Sequence, residues 1–120
     1  MKLSEKAKEL IGEIHPALVA TADKTGKPNV SAKGSLRVLD SEHLLFADIA
    51  SPRTIKNIRE NPQVAVICLN ATERKGCRIW GNAEVLVSGP LFLEAAKEFA
   101  HKNMTVKNVV KIAVMGFETF

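Results

Sequence analysis

The stretch SPRTIKNIRENPQVAV, Ser51–Val66, decides how this chain is read. It follows a strand-like apolar run. Pro52 suits the first position of a helix, with Ser51 as its cap. Ile55 and Ile58 supply an inward stripe, and Pro62 stops the helix after about two turns. The residues that follow, QVAVICLN (Gln63–Asn70), are too few and too β-branched for a helix and read as a strand. The result is strand, short helix, strand, with Ser51, Arg53 and Thr54 gathered at the helix mouth. First-turn amides have no partner within a helix, so such a mouth suits an anion. Taken alone, the cluster is most simply an ordinary cap with a solvated first turn.

Working outward, Leu3, Ala7, Leu10, Ile11 and Ile14 recur at helical spacing, with Ser4 as a candidate cap, and Pro16 ends that helix. Ala17–Asp23 reads as a strand, and KTGKP turns the chain. Asn29–Asp40 reads as one long strand interrupted by Gly34, where a bulge or a close approach by a ligand is expected. Leu44–Ile49 is a third strand. After Gln63–Asn70, Cys77–Ser88 is a fifth, with Gly81 in mid-run. Pro90 opens a helix through about Lys102, with Leu93, Ala96, Phe99 and Ala100 inward, and Asn108–Phe120 is the last strand. These elements predict a mainly β, α+β fold in a single domain over residues 1–120. Six antiparallel strands would form a small, closed or nearly closed barrel, since closure removes exposed edges.

The composition is that of an average globular chain, 46% hydrophobic and 25% charged. No apolar run reaches the roughly 18 residues of a membrane span. The charged, amphipathic start MKLSEKAKELIGEIHP has no signal-peptide core, which predicts a cytoplasmic protein. Cys68 is expected to be buried in its strand and Cys77 to be reduced and partly exposed. His15, His43 and His101 share no spacing, so neither a metal site nor a catalytic histidine is assigned. The formal net charge of +4 is compatible with nucleic acid or with a phosphorylated small molecule.

The order GKPNVS, LLFAD, the Ser/Arg/Thr cluster, NIRENPQVAV and RIWGNAEV resembles the FMN-binding split barrels, the group named after pyridoxamine 5′-phosphate oxidase. The likeness covers nearly the whole chain and is greatest to the small single-domain members. It implies a six-stranded split barrel acting as a homodimer, with FMN bound without a covalent link in a groove at the dimer interface. The phosphate contacts then fall on Ser51, Arg53 and Thr54. The ring runs along Ser31, Ala32, Lys33, Gly34 and Ser35, where Gly34 admits a close approach. Lys33 reaches the phosphate or the pyrimidine edge, where positive charge favours the reduced ring. Ala47, Asp48 and Ile49 line the same pocket, and the partner subunit adds a wall from Trp80 or the Phe117–Phe120 tail. The oxidase's additional basic residues and its C-terminal substrate-binding segment have no counterpart here, so oxidation of pyridoxamine phosphate is not expected.

Residue by residue, plainer readings stand beside these. Lys33 next to a bulge is an ordinary outward strand residue. Trp80 is an ordinary core or interface residue. Asp48 lacks a His or Cys partner and reads as structural rather than as a general base. No residue is assigned a catalytic role, because a flavin carries its own redox chemistry. The resemblance implies electron transfer or reduction of a small acceptor, without membrane or nucleic acid. Two alternatives remain: a reductase of the same fold using a deazaflavin coenzyme, and a non-enzymatic barrel binding a small ligand or a nucleic acid strand through exposed aromatics.

Overall fold

The computed structural model describes residues 1–120. The elements are α1 (Glu5–Glu13), β1 (Ala17–Ala22), β2 (Pro28–Lys33), β3 (Arg37–Asp40), β4 (His43–Asp48), α2 (Pro52–Glu60), β5 (Gln63–Asn70), β6 (Lys75–Leu86), α3 (Pro90–Ala100) and β7 (Asn108–Thr119). The mainly β, α+β architecture is as expected. The strands form one antiparallel sheet in the order β2-β1-β5-β6-β7-β4-β3. No helix is long and apolar enough to cross a membrane.

Two corrections concern the barrel. There are seven strands, not six, because Asn29–Asp40 is not one strand. The ladder stops at Lys33, a turn occupies Gly34 and Ser35, and a new strand begins at Arg37. Leu36 marks the break: a continued strand would turn it to the face opposite Lys33 and Ser35, yet it is fully buried, so the alternation does not run through. The sheet is also not closed. β2 and β3 are adjacent in the chain yet lie at opposite edges of the sheet, with no backbone ladder between them.

The core follows the two-residue period of the strands. Val19 faces Val66, and Val66 faces Ile79, across β1, β5 and β6. These side chains join Phe46 from β4 and Ile112 from β7 beneath Leu10 and Ile11 of α1. Ser4 caps α1 as predicted, its hydroxyl accepting from Ala7 N at 3.1 Å. Cys77 lies directly opposite Cys68 and is fully buried rather than partly exposed. Both side chains face the interior, and burial pushes each thiol up to about 11. A smaller cluster of Leu45, Ala47, Ala95, Val106 and Val109 sits under α3. Phe99 packs inward as expected, but Leu93 is 65% exposed and Ala100 is exposed too, and the helix turns Leu91, Phe92 and Ala95 inward in their place.

The outward face of β2-β1-β5-β6 is strongly apolar. Val30, Ala20, Ala65 and Trp80 lie in one row across the sheet. Val30, Leu18, Leu69 and Trp80 are all exposed.

Gly81 in β6 sits beside a register shift against β7. A β-carbon there would lie 2.5 Å from the backbone oxygen of Ala113. Gly81→Ala should therefore cost about 1–3 kcal/mol of stability, the usual penalty for overpacking. Urea unfolding measures it.

Candidate functional site

Successive inward positions of the β2 edge and its turn each bond to the segment running from β4 into α2. Ser31 Oγ lies 2.9 Å from Thr54 Oγ1. Lys33 Nζ donates to Ser51 Oγ at 2.5 Å. Ser35 Oγ accepts from Ala47 N at 3.0 Å and donates to Ala47 O at 3.3 Å. Side chains thus join parts of the fold that no strand ladder connects.

Behind this seam lies the Asp48 carboxylate, only 2% exposed. Ser51 donates to its Oδ1 through the backbone N–H at 2.9 Å and the hydroxyl at 2.5 Å. Asn108 Nδ2 donates to Oδ2 at 2.8 Å. Burial raises this carboxyl's pKa, but the Ser51 and Asn108 hydrogen bonds and the Lys33 charge outweigh it and hold the value below the ordinary carboxylate range. Burial pulls Lys33 the other way, below an ordinary lysine, and the Asp48 charge partly restores it. The Lys33 ammonium also lies 5.4 Å from the centre of the Phe46 ring, within cation–π range.

Beside the seam is an open cavity of about 600 Å³, a size typical of ligand sites. Of the residues expected along the ring, Ala32, Lys33, Gly34, Ser35, Ala47 and Ile49 line it together. A β-carbon on Gly34 would meet no atom within 4 Å, so the turn faces open space. Lys33 is not the ordinary outward strand residue that its bulge-side position suggested. It is 8% exposed and bonded inward.

The expected phosphate corner is arranged differently. Ser51 stands at the N-cap of α2, but its hydroxyl makes no cap bond and leaves the first turn uncapped. Its one proton goes to Asp48 and it accepts from Lys33, so it has no proton left to give an anion. Thr54 is 1% exposed and bonded to Ser31. Arg53 is exposed and opens onto a separate basin of about 240 Å³ beside Lys27, Asn29 and Lys56. It keeps its guanidinium free for a ligand. Trp80 lines none of these hollows and sits on the outward sheet face, 43% exposed. In one subunit it belongs to a surface and not to the cavity.

Sequence reading missed Asn108, which reaches Asp48 only because β7 pairs with β4 in the register Asp48↔Asn108. It also missed the far cavity wall of His15, Arg37, Glu98, Phe99, Lys102 and Met104. Arg37 there is paired with Glu98 at 2.9 Å.

The sequence matches the family described as pyridoxamine 5′-phosphate oxidase over residues 3–118. A protein of Methanocaldococcus jannaschii is 40% identical over 101 residues, which is 82% of this chain and 65% of that protein. The chain therefore matches just under two thirds of that relative's length. HupZ of group A Streptococcus has a similar structure, with a TM-score of 0.90 and 26% identity over 98% of this chain and 94% of that one. At 20% identity, an FMN-binding protein of Syntrophomonas wolfei shares the fold with a TM-score of 0.84, over 96% and 84% of the two chains. So does an F420 reductase at 19% identity and a TM-score of 0.73, over 97% and 98%.

Asn108→Ala should cost about 1.5–3 kcal/mol at neutral pH, the range for a hydrogen bond to a charged group. Because Asp48 has a lowered folded pKa, its contribution is complete above the ordinary carboxylate range and is lost as pH falls through the folded value. The deficit of the variant should therefore shrink on acidification. Urea unfolding at a series of pH values checks both the size and the sign.

Proposed function

The chain belongs to the pyridoxamine 5′-phosphate oxidase family of FMN-binding split barrels, and from that premise we propose that it is a flavin protein binding FMN without a covalent bond. The observation that supports this reading is the seam. Its hydrogen bonds tie residues 31–35 to residues 47–54, two segments distant in sequence and both implicated by the family resemblance, beside a cavity lined by Ala32–Ser35 from the one and by Ala47, Ile49 and Ala50 from the other. The residues present fit the cofactor. The cavity wall is half apolar, Gly34 leaves space for a flat ring, and Lys33 supplies a buried cation. The uncapped first turn of α2 and the free Arg53 guanidinium suit the phosphate, which Arg holds through its two-pronged donor geometry.

In this reading the protein binds, orients and shields, and FMN when bound supplies the transfer of electrons. Ala32, Gly34, Ala47 and Ile49 exclude water from the ring. Lys33 holds positive charge against its polar edge. The role is electron transfer or reduction of a small acceptor in the cytoplasm. The active form is a homodimer with the cofactor at its interface. The exposed row of Val30, Ala20, Ala65 and Trp80 supports that assembly, because an apolar patch of this kind marks a contact surface.

A second reading has one observation in its favour. A further cavity of about 420 Å³ shares Ala50 with the first and carries Lys56, Arg59 and Lys107 on its rim. Asp48 and Glu60 line it too, and Lys56 pairs with Glu60, so what it offers the longer anionic tail of a deazaflavin coenzyme is room and the cations Arg59 and Lys107; an F420 reductase shares the fold. Competition between the two coenzymes for the purified protein separates the readings.

The protein should take up added FMN and show flavin absorption in the visible range; a preparation that stays colourless would overturn the FMN reading. Arg53→Ala should weaken FMN binding by about 1.5–3 kcal/mol by fluorescence titration. Trp80→Glu should shift the particle from dimer to monomer in sedimentation, since it replaces the largest apolar side chain of the row with a charge.

A further inference from the structure

We infer that Asp48 is a positioning residue for the cofactor site: acting through Ser51, and steadied by Asn108, it fixes the Lys33 ammonium at the wall of the ring cavity. The inference rests on the flavin reading above and assigns part of that site to a residue that lies behind it.

Three observations carry it. First, the connection is continuous. Lys33 Nζ donates to Ser51 Oγ at 2.5 Å, Ser51 Oγ donates to Asp48 Oδ1 at 2.5 Å, and Asn108 Nδ2 donates to Asp48 Oδ2 at 2.8 Å. Second, every direction in the chain of bonds is set by the carboxylate. An ionised Asp48 only accepts, so Ser51 must turn its single proton towards it and present a lone pair to Lys33. Third, Lys33 has no other acidic partner. It takes part in no ion pair closer than 4 Å, and Asp48 is the charge that supports its protonated form. Of the other cations lining the cavity, Arg37 pairs with Glu98, and Lys102 is exposed and lies 5.0 Å from the centre of the Phe99 ring.

A lysine ammonium has three protons. One goes to Ser51, and the Phe46 ring covers another side of the group. The residue itself lines the cavity. Lys33 is therefore a cation of fixed position, where an ordinary lysine on a flexible stem would sample many. Asp48 keeps it charged despite burial, and Ser51 keeps the two charges from collapsing into a direct pair that would withdraw the ammonium from the cavity.

The test uses FMN titrations between about pH 7.5 and 9.5, where the phosphate, with a second pKa near 6, is fully ionised. These are compared with NMR titration of the Lys33 side chain in the protein without FMN. In Asp48→Asn the Lys33 titration should move to lower pH, and FMN affinity should begin to fall at correspondingly lower pH. A move of one unit would make the variant up to about tenfold weaker at pH values above both titrations and little changed below them. Adding Asn108→Asp to Asp48→Asn returns a carboxylate to the network and should move both profiles back, a rescue that a purely structural role would not give. Should Asp48→Asn fail to fold, Ser51→Ala keeps both charges and breaks the bridge; it should weaken FMN binding several-fold and alter the Lys33 titration. Profiles of Asp48→Asn and Ser51→Ala that superimpose on the wild type overturn the inference while leaving the flavin reading intact. A wild-type protein that binds no FMN overturns that reading and the cofactor role assigned here, even where the Lys33 titration moves as expected.

Discussion

The fold depends on a seam made of side chains. A sheet whose edge strands are neighbours in sequence would ordinarily close by pairing them. Here the chain turns at Gly34 and Ser35 and leaves β2 without a ladder on its free side. Ser31, Lys33 and Ser35 fill that gap by bonding to Thr54, Ser51 and Ala47. The alternation of a strand makes this possible, because every second residue faces the same way. A continuous ladder would leave no cavity at that place. A gap without hydrogen bonds would leave buried polar groups unpaired, and no buried side-chain nitrogen or oxygen lacks a partner.

Using a lysine and an aspartate for this purpose is expensive in stability. Buried charges lose hydration, and an apolar replacement of similar shape is often as stable. Their presence next to a cavity argues for a role beyond holding the chain together. The arrangement places a negative group in the interior, a hydroxyl in the middle and a positive group at the wall. Of the three, it is the positive group that lines the cavity of about 600 Å³.

Much of this was legible in the sequence, and the reasons are specific. The boundaries of β5 match the expectation at both ends, because Pro62 and the β-branched run leave few alternatives. The helix at Pro52 was legible because proline and isoleucine mark its start and its inner face. The break in Asn29–Asp40 was misread because a glycine in a strand signals a bulge and a turn alike. Only the burial of Leu36, a tertiary effect, decides between them. Ser51 was placed correctly at the helix start, but the acceptor it chose lies on β4, and local capping rules do not weigh a competing carboxylate. Asn108 was invisible for a similar reason: its place follows from strand register sixty residues away. Trp80 shows a third kind of limit. Its spacing puts it on β6 but says nothing about which side of the sheet remains uncovered.

The position of β7 in the chain has a consequence for how the molecule comes into being. It is the only strand that pairs with both β6 and β4, so it alone joins the β2-β1-β5-β6 half of the sheet to the β4-β3 half. During translation the two halves can form as separate hairpin-based pieces, but the ribosome must release residues 108–119 before they share one sheet. Asn108 arrives with the same strand. The β2 side and the β4 side of the seam therefore belong to one sheet only once β7 is in place.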